Sequence, residues 1–395
     1  MVVQWFRDLR PWARAAVLLP IAVVVLLAAG LVASRRSHSA PHAVLSPSPL
    51  ASASTSSSPK PTRSPSTAVS PAPSSCAAPP GGFPGSELAA AYPVALAWSP
   101  DGRLFWAERA GTIKVLEGGA VRTFASVPTV TTEAGGGYSE RGLLGLAISG
   151  SSVFAMYSNT DRATQTIVRW TDCAGVGQDQ AVVASALPAG SDCCHKGGRL
   201  AISPDGHLFA TIGDNHAPGA AQNSGDLRGK VIRFNLDGSG RMVWTSGLRN
   251  PFGLAFGPDG TLAVTNNGPS GDAGTPCGGC GDEFDLVGTG PGVMYEWPTC
   301  WGYNHPIGGG DCAGLGPQYS TEGGPYARGN PFFVAPTGMT WAGRFVFCAY
   351  STRHLYEYRS QGVVADTGIG GCQLDVKQGP DGALYTSDTG AIYRH

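Results

Sequence analysis

A four-residue phrase ending in Pro-Asp-Gly returns along the chain at Ser99-Pro-Asp-Gly102, Ser203-Pro-Asp-Gly206, Gly257-Pro-Asp-Gly260 and Gly379-Pro-Asp-Gly382. Each copy separates two short apolar runs. The pairs are Ala95–Trp98 with Leu104–Trp106, Leu200–Ile202 with Leu208–Thr211, Gly253–Phe256 with Leu262–Thr265, and Val376 with Leu384–Thr386. Pro presets φ, Asp accepts from nearby backbone and Gly takes positive φ, so each copy reads as a tight turn in a hairpin. A hairpin repeated at a steady interval implies a repeat architecture, and antiparallel strands in such a repeat imply a propeller.

Two weaker copies fill the gaps. Gly145–Ser149 leads through Gly150 into Val153–Tyr157, and Gly338–Trp341 leads through Gly343 into Phe345–Phe347. The turn centres then fall near residues 101, 150, 205, 259, 343 and 381. Their spacing suits four-stranded blades, apart from a long gap that reads as a Gly- and Cys-rich insertion over 268–336. The expected fold is all-β, a six-bladed β-propeller; a β-sandwich with repeated turns is the alternative.

The N-terminal part has a different composition. Residues 1–14 read as a cytoplasmic N-terminus. Ala15–Ala33 carries no charge and is long enough to cross a bilayer, so 15–33 is expected to be a transmembrane anchor. A cleavable signal ending near Leu31-Val32-Ala33 is the alternative. Residues 34–75 are rich in Ser, Pro, Ala and Thr and read as a disordered linker. The propeller is then expected over 76–395. All ten Cys lie there, which points to disulfides, an oxidising compartment and a domain on the extracytoplasmic side of the cell membrane. Expected pairs are Cys300–Cys312, Cys277–Cys280 and Cys348–Cys372. Zinc is the rival reading of Cys277-x-x-Cys280 and Cys193-Cys194-His195, but there is no second Cys-x-x-Cys pair. A net charge of −1 and 14% charged residues leave no basic stripe for nucleic acid.

Propeller ligands bind where loops meet one mouth of the central channel. Polar residues just before inner-strand runs are therefore the candidates. Glu140, His195 and Arg249-Asn250 occupy that place in three successive blades. Asp214 ends the strand after His195, one hairpin away, so a carboxylate can stand beside the imidazole and set its tautomer. Asn267-Gly268-Pro269 and Asp282-Glu283 make an oxygen-rich region of the kind Ca²⁺ uses.

In order along the chain, several segments resemble the glucose/sorbosone dehydrogenase family, the propellers like soluble quinoprotein glucose dehydrogenase. They are Glu140-Arg-Gly-Leu-Leu-Gly-Leu-Ala147, His195-x-Gly-Gly-Arg-Leu200 through Gly213-Asp214, Leu227–Gly238, Gly247-Leu-Arg-Asn-Pro251, Asn267-Gly-Pro269, Gly281-Asp-Glu-Phe-Asp-Leu286 and Asp375 through Tyr385. The resemblance spans most of 93–390. It implies a mouth that holds pyrroloquinoline quinone (PQQ) with Ca²⁺. It also implies His195 as the base, Asp214 as its orienter, and Arg249 and Asn250 on the cofactor. Glu140 and Asn267 would line the same pocket. The Gly268 and Pro269 carbonyls would hold the cofactor calcium, with Asp282 and Glu283 at a second calcium. The match departs where active members carry a Lys and two Arg against the cofactor's carboxylates. Here those places read Tyr350, Cys372 and Leu374. Losing three charge-assisted contacts of about 1.5–3 kcal/mol each would weaken PQQ binding by several kcal/mol.

The expected activity is PQQ- and calcium-dependent oxidation of an aldose or polyol, with electrons passing to an external acceptor. A propeller that binds a carbohydrate or protein without turnover is the second reading. A metal-dependent sugar-lactone hydrolase is the third.

Overall fold

The strand runs are apolar at nearly every position instead of alternating, because each strand is covered on both faces. In Leu104–Glu108, Leu104 and Trp106 pack towards Tyr385 and Ile392, while Phe105 and Ala107 pack towards Leu143 and Leu146. Leu208–Ile212 divides likewise, with Phe209 facing Leu254 and Val264, and Leu208 and Ala210 facing Phe154 and Ile167. The computed structural model describes residues 76, 81–269, 281–303, 305–307, 312, 316–321 and 334–395. The expected anchor, the linker and the Cys277–Cys280 pair lie outside the described residues.

Six antiparallel sheets account for this two-sided burial. Blade 1 runs Pro93–Trp98, Leu104–Glu108, Thr112–Glu117, Ala120–Ser126. Blade 2 runs Leu143–Ser149, Ser152–Ser158, Thr164–Cys173, Val176–Pro188. Blade 3 runs Gly197–Ile202, Leu208–Ile212, Lys230–Phe234, Met242–Ser246. Blade 4 runs Pro251–Phe256, Leu262–Asn266, Glu283–Gly288, Tyr319–Ser320. Blade 5 runs Pro336–Trp341, Phe345–Ala349, Leu355–Ser360, Val363–Asp366. Blade 6 runs Asp375–Gln378, Leu384–Ser387, Ala391–Arg394, and takes its outer strand, Glu87–Ala89, from before blade 1. The first strand of each blade touches those of both neighbours, and blade 6 meets blade 1, so the ring closes. Among the described residues the core forms six wedges, one at each blade–blade interface, and a seventh cluster of Ala221, Trp297 and Trp301.

The repeated turns behave as the sequence predicts. Gly102, Gly206, Gly260 and Gly382 take φ of 82°, 83°, 83° and 81°, values that a Cβ would strain. The segment 268–336 is not one insertion. Its described residues include the two outer strands of blade 4 and a parallel strand, Val293–Met294, added to the edge of blade 3. Turn spacing alone concealed those strands, because they follow no Pro-Asp-Gly.

Two expected disulfides are present, Cys300–Cys312 and Cys348–Cys372. Two others were not foreseen. Cys76 pairs with Cys173 across a separation of 97 residues, and Cys193 pairs with its neighbour Cys194.

Candidate active site

In five blades the pairing of the two innermost strands shifts register near the start of the first strand: between Pro93 and Ala95, Leu143 and Gly145, Gly197 and Leu200, Pro251 and Gly253, and Pro336 and Met339. Such bulges re-aim side chains at a sheet's rim. All five lie at one end of the ring, and the candidate residues come from the loops that enter there.

His195 takes φ 56° immediately before blade 3. Its ring Nδ1 lies 2.6 Å from Asp214 Oδ1, and both residues are buried. Asp214 is fixed in turn: Oδ2 accepts from Trp297 Nε1 at 2.8 Å and Oδ1 accepts from the His216 N–H at 3.0 Å. The Asn215 amide donates to the His195 carbonyl at 2.6 Å. A carboxylate on Nδ1 holds the proton on that nitrogen and leaves Nε2 as the basic one.

Glu140, the Asn250 side chain and the backbone after His195 meet beside this pair. Glu140 Oε2 accepts from the Lys196 N–H at 3.2 Å and from Asn250 Nδ2 at 3.3 Å. Asn250 Oδ1 accepts from the Gly197 N–H at 3.3 Å. Arg249 donates from Nη1 to the Asn267 carbonyl at 2.8 Å and stands 5.6 Å over the Trp297 ring. Thus Glu140, His195, Asp214, Arg249, Asn250 and Asn267 form one connected group. Lys196, fully buried behind it, is held down to about 8, first by burial and then by the Arg141 charge.

Gly268 and Pro269 are buried at the same rim. The Asp282 carboxylate is occupied as a loop clamp: Oδ1 accepts from the Gly268 N–H at 2.9 Å, and Oδ2 from the Val334 and Ala335 N–H groups at 2.8 Å each. Burial nevertheless raises its pKa. Glu283 points elsewhere, accepting from the Gly302 N–H at 2.7 Å and from Asn266 Nδ2 at 3.1 Å.

The pocket at this mouth measures about 120 Å³ and includes Glu140 and Asn267 in its lining. Several wall residues escaped the sequence reading. Tyr92, Tyr138 and Phe252 join the already noted Tyr350 to make it aromatic, and Arg109 adds a cation. Burial, then a hydrogen bond with Tyr350, raise the Tyr92 phenol far above its ordinary range and keep it neutral. Arg109 is engaged, donating to the Arg141 and Thr131 carbonyls at 2.9 Å each. Below the pocket Arg199 donates to the Leu374 carbonyl at 2.6 Å and stands 4.5 Å over Phe252. On the wall from blades 5 and 6, Tyr350 and Leu374 line the pocket, and Cys372 is buried in its disulfide. Among the described residues that line the pocket on that wall, no Lys or Arg stands in for the three that the sequence lacks.

A profile of the Glucose / Sorbosone dehydrogenase family matches residues 90–394. The chain is similar to quinoprotein glucose dehydrogenase B of Acinetobacter calcoaceticus, at 32% identity over 265 residues, covering 55% of this chain and 52% of that protein. It thus spans about half the length of that relative. It is also similar to an aldose sugar dehydrogenase of Escherichia coli K12, at 27% identity, covering 74% and 86%. Among solved structures, the PQQ-bound aldose sugar dehydrogenase of Streptomyces coelicolor shares the fold, with a TM-score of 0.60, 23% identity, and 81% and 96% of the chains covered. A family match over residues 90–394, nearly the whole ring, places this chain in the glucose/sorbosone dehydrogenase family.

Proposed function

We propose that this protein is a sugar dehydrogenase that oxidises an aldose or polyol hydroxyl at the channel mouth, with PQQ and calcium as cofactors. The observation that carries this reading is the buried His195–Asp214 pair, held by Trp297 and His216 and linked through the Lys196 N–H to Glu140, which lines the aromatic pocket. On the wall from blades 3 and 4, Arg249 would supply positive charge to a planar quinone, and Asn250 and Asn267 would supply amides. Bound there, PQQ would supply a two-electron acceptor. His195 Nε2 takes the proton of the substrate hydroxyl. Asp214 stabilises the imidazolium that results, because a carboxylate on Nδ1 favours the charged ring. The aromatic walls offer faces to a sugar ring. Calcium would rest on the Gly268 and Pro269 carbonyls. Attachment to a membrane through 15–33, extracytoplasmic placement and an external electron acceptor belong to the same proposal.

The wall of Tyr350 and Leu374 favours a second reading, a propeller that binds a sugar without turning it over. Calorimetric titration with PQQ in excess Ca²⁺ separates the two. Micromolar or tighter binding that Arg249→Ala abolishes and a calcium chelator weakens supports the dehydrogenase. No detectable binding removes PQQ from the proposal and leaves the binder.

A further inference from the structure

Cys193 and Cys194 form a disulfide between sequence neighbours, one residue before His195. The structure groups Cys193 with residues that the sequence did not connect. Asp192, Cys193 and His216 each present a ligand atom, and all three atoms lie within 4.8 Å of one another. Asp192 Oδ2 and His216 Nδ1 are 2.7 Å apart. A thiol, an imidazole and a carboxylate are the donors that zinc and similar borderline cations take. In the disulfide, however, the sulfur has no charge to offer a metal.

The site is built so that the sulfurs alone need change. Arg141 Nη2 donates to the Gly190 and Asp192 carbonyls at 2.9 and 2.7 Å. The Cys193 carbonyl accepts from the Glu140 N–H at 2.9 Å. His216 is anchored through its N–H on Asp214. None of these bonds involves a sulfur, so opening the disulfide breaks none of them. Asp192 and His216 are partly exposed, at 56% and 26% of their side chains, so an ion has a way in.

We propose that Asp192, Cys193 and His216 form a latent zinc-type metal site, closed by the Cys193–Cys194 disulfide and opened by a dithiol or phosphine reductant. The reductant delivers two electrons, the S–S bond breaks, and each sulfur takes a proton. A dithiol leaves as its own disulfide; a phosphine leaves as its oxide with oxygen from water. The metal then displaces the Cys193 thiol proton and separates His216 Nδ1 from Asp192. The site adjoins the candidate base, since the His216 and His195 rings meet edge to face at 4.1 Å.

The test is a zinc titration of the full chain, oxidised and phosphine-reduced, against a chromogenic chelator. Cobalt replaces zinc in a parallel run to report thiolate ligation by charge-transfer absorption. The reduced protein is expected to bind zinc at this site and the oxidised protein is not. Cys193→Ser/Cys194→Ser should abolish the site. His216→Gln should weaken it at least about tenfold, since even residues behind the ligands matter that much. Equal binding by oxidised and reduced protein overturns the proposal, as does no binding by the reduced form. Binding untouched by either variant overturns it too, and assigns the metal to the other cluster of such groups among the described residues, Glu296, Cys300 and Cys312. The readout is metal binding without turnover, so it stands apart from the fate of PQQ.

Discussion

His195 and Asp214 depend on each other's position, and each has a distinct consequence when removed. His195→Ala is expected to lower turnover by about 10²–10⁴-fold, the worth of a general base. Asp214→Asn should lose less, because the base remains while its tautomer and charge stabilisation suffer. Steady-state kinetics, with circular dichroism to show an intact propeller, checks both. Asp285 is a second residue with a readable effect. It is fully buried, and burial pushes its carboxyl up to about 8. The nearby Asn266 amide pulls the other way, but its N–H closes on Glu283. A carboxyl raised in the folded state binds a proton there that the unfolded chain gives up near about 3.9. Its contribution to stability is therefore fully present below that value and is lost as pH rises through about 8. Asp285→Asn should raise the melting temperature at alkaline pH and flatten its fall between about pH 5 and about pH 9. An unchanged pH profile would contradict the assignment.

At the scale of a strand, the close approach of inner strands limits what each can carry. A Cβ at Gly253 would lie 2.3 Å from the Thr337 carbonyl of blade 5 and 2.4 Å from Thr265 Oγ1. Gly253 also donates its N–H to that hydroxyl at 2.8 Å. Both neighbours are held, so they yield poorly. Gly253→Ala should destabilise by about 1–3 kcal/mol, as overpacking does, measured by denaturant unfolding. It should also disturb Arg249 and Asn250, which enter the same strand. This constraint was visible in the sequence only as one Gly within Gly253-Leu-Ala-Phe256. Its partner strand lies more than seventy residues later, and no local pattern reports that distance.

Over the whole ring, closure depends on segments far apart in the chain. The blade 6 outer strand, Glu87–Ala89, comes from before blade 1 and pairs with Ala391–Arg394. Cys76, just before it, is tied to Cys173 in blade 2. A bridge over 97 residues removes much freedom from the unfolded chain, up to about 4–5 kcal/mol. Cys193–Cys194 closes no chain loop and removes almost none. Cys76→Ala/Cys173→Ala should therefore lower unfolding free energy by as much as about 4 kcal/mol. Cys193→Ser/Cys194→Ser should leave it nearly unchanged. Equilibrium denaturation of both pairs tests the contrast.

The blade count, the turns and the His195–Asp214 pairing were legible in the amino-acid sequence because each is a short-range property. Pro-Asp-Gly fixes a turn through φ restrictions at neighbouring residues, and a single hairpin carries His195 to Asp214. The closing strand, the Cys76–Cys173 bridge and the hidden strands of blade 4 carry no such local mark. Trp297 reaches Asp214 from 83 residues away. Tyr92 and Tyr350 share one pocket from opposite ends of the propeller sequence. Only the tertiary structure sets those meetings, the first through the strand Val293–Met294 added to blade 3 and the second through ring closure, because separation in sequence encodes nothing about either distance.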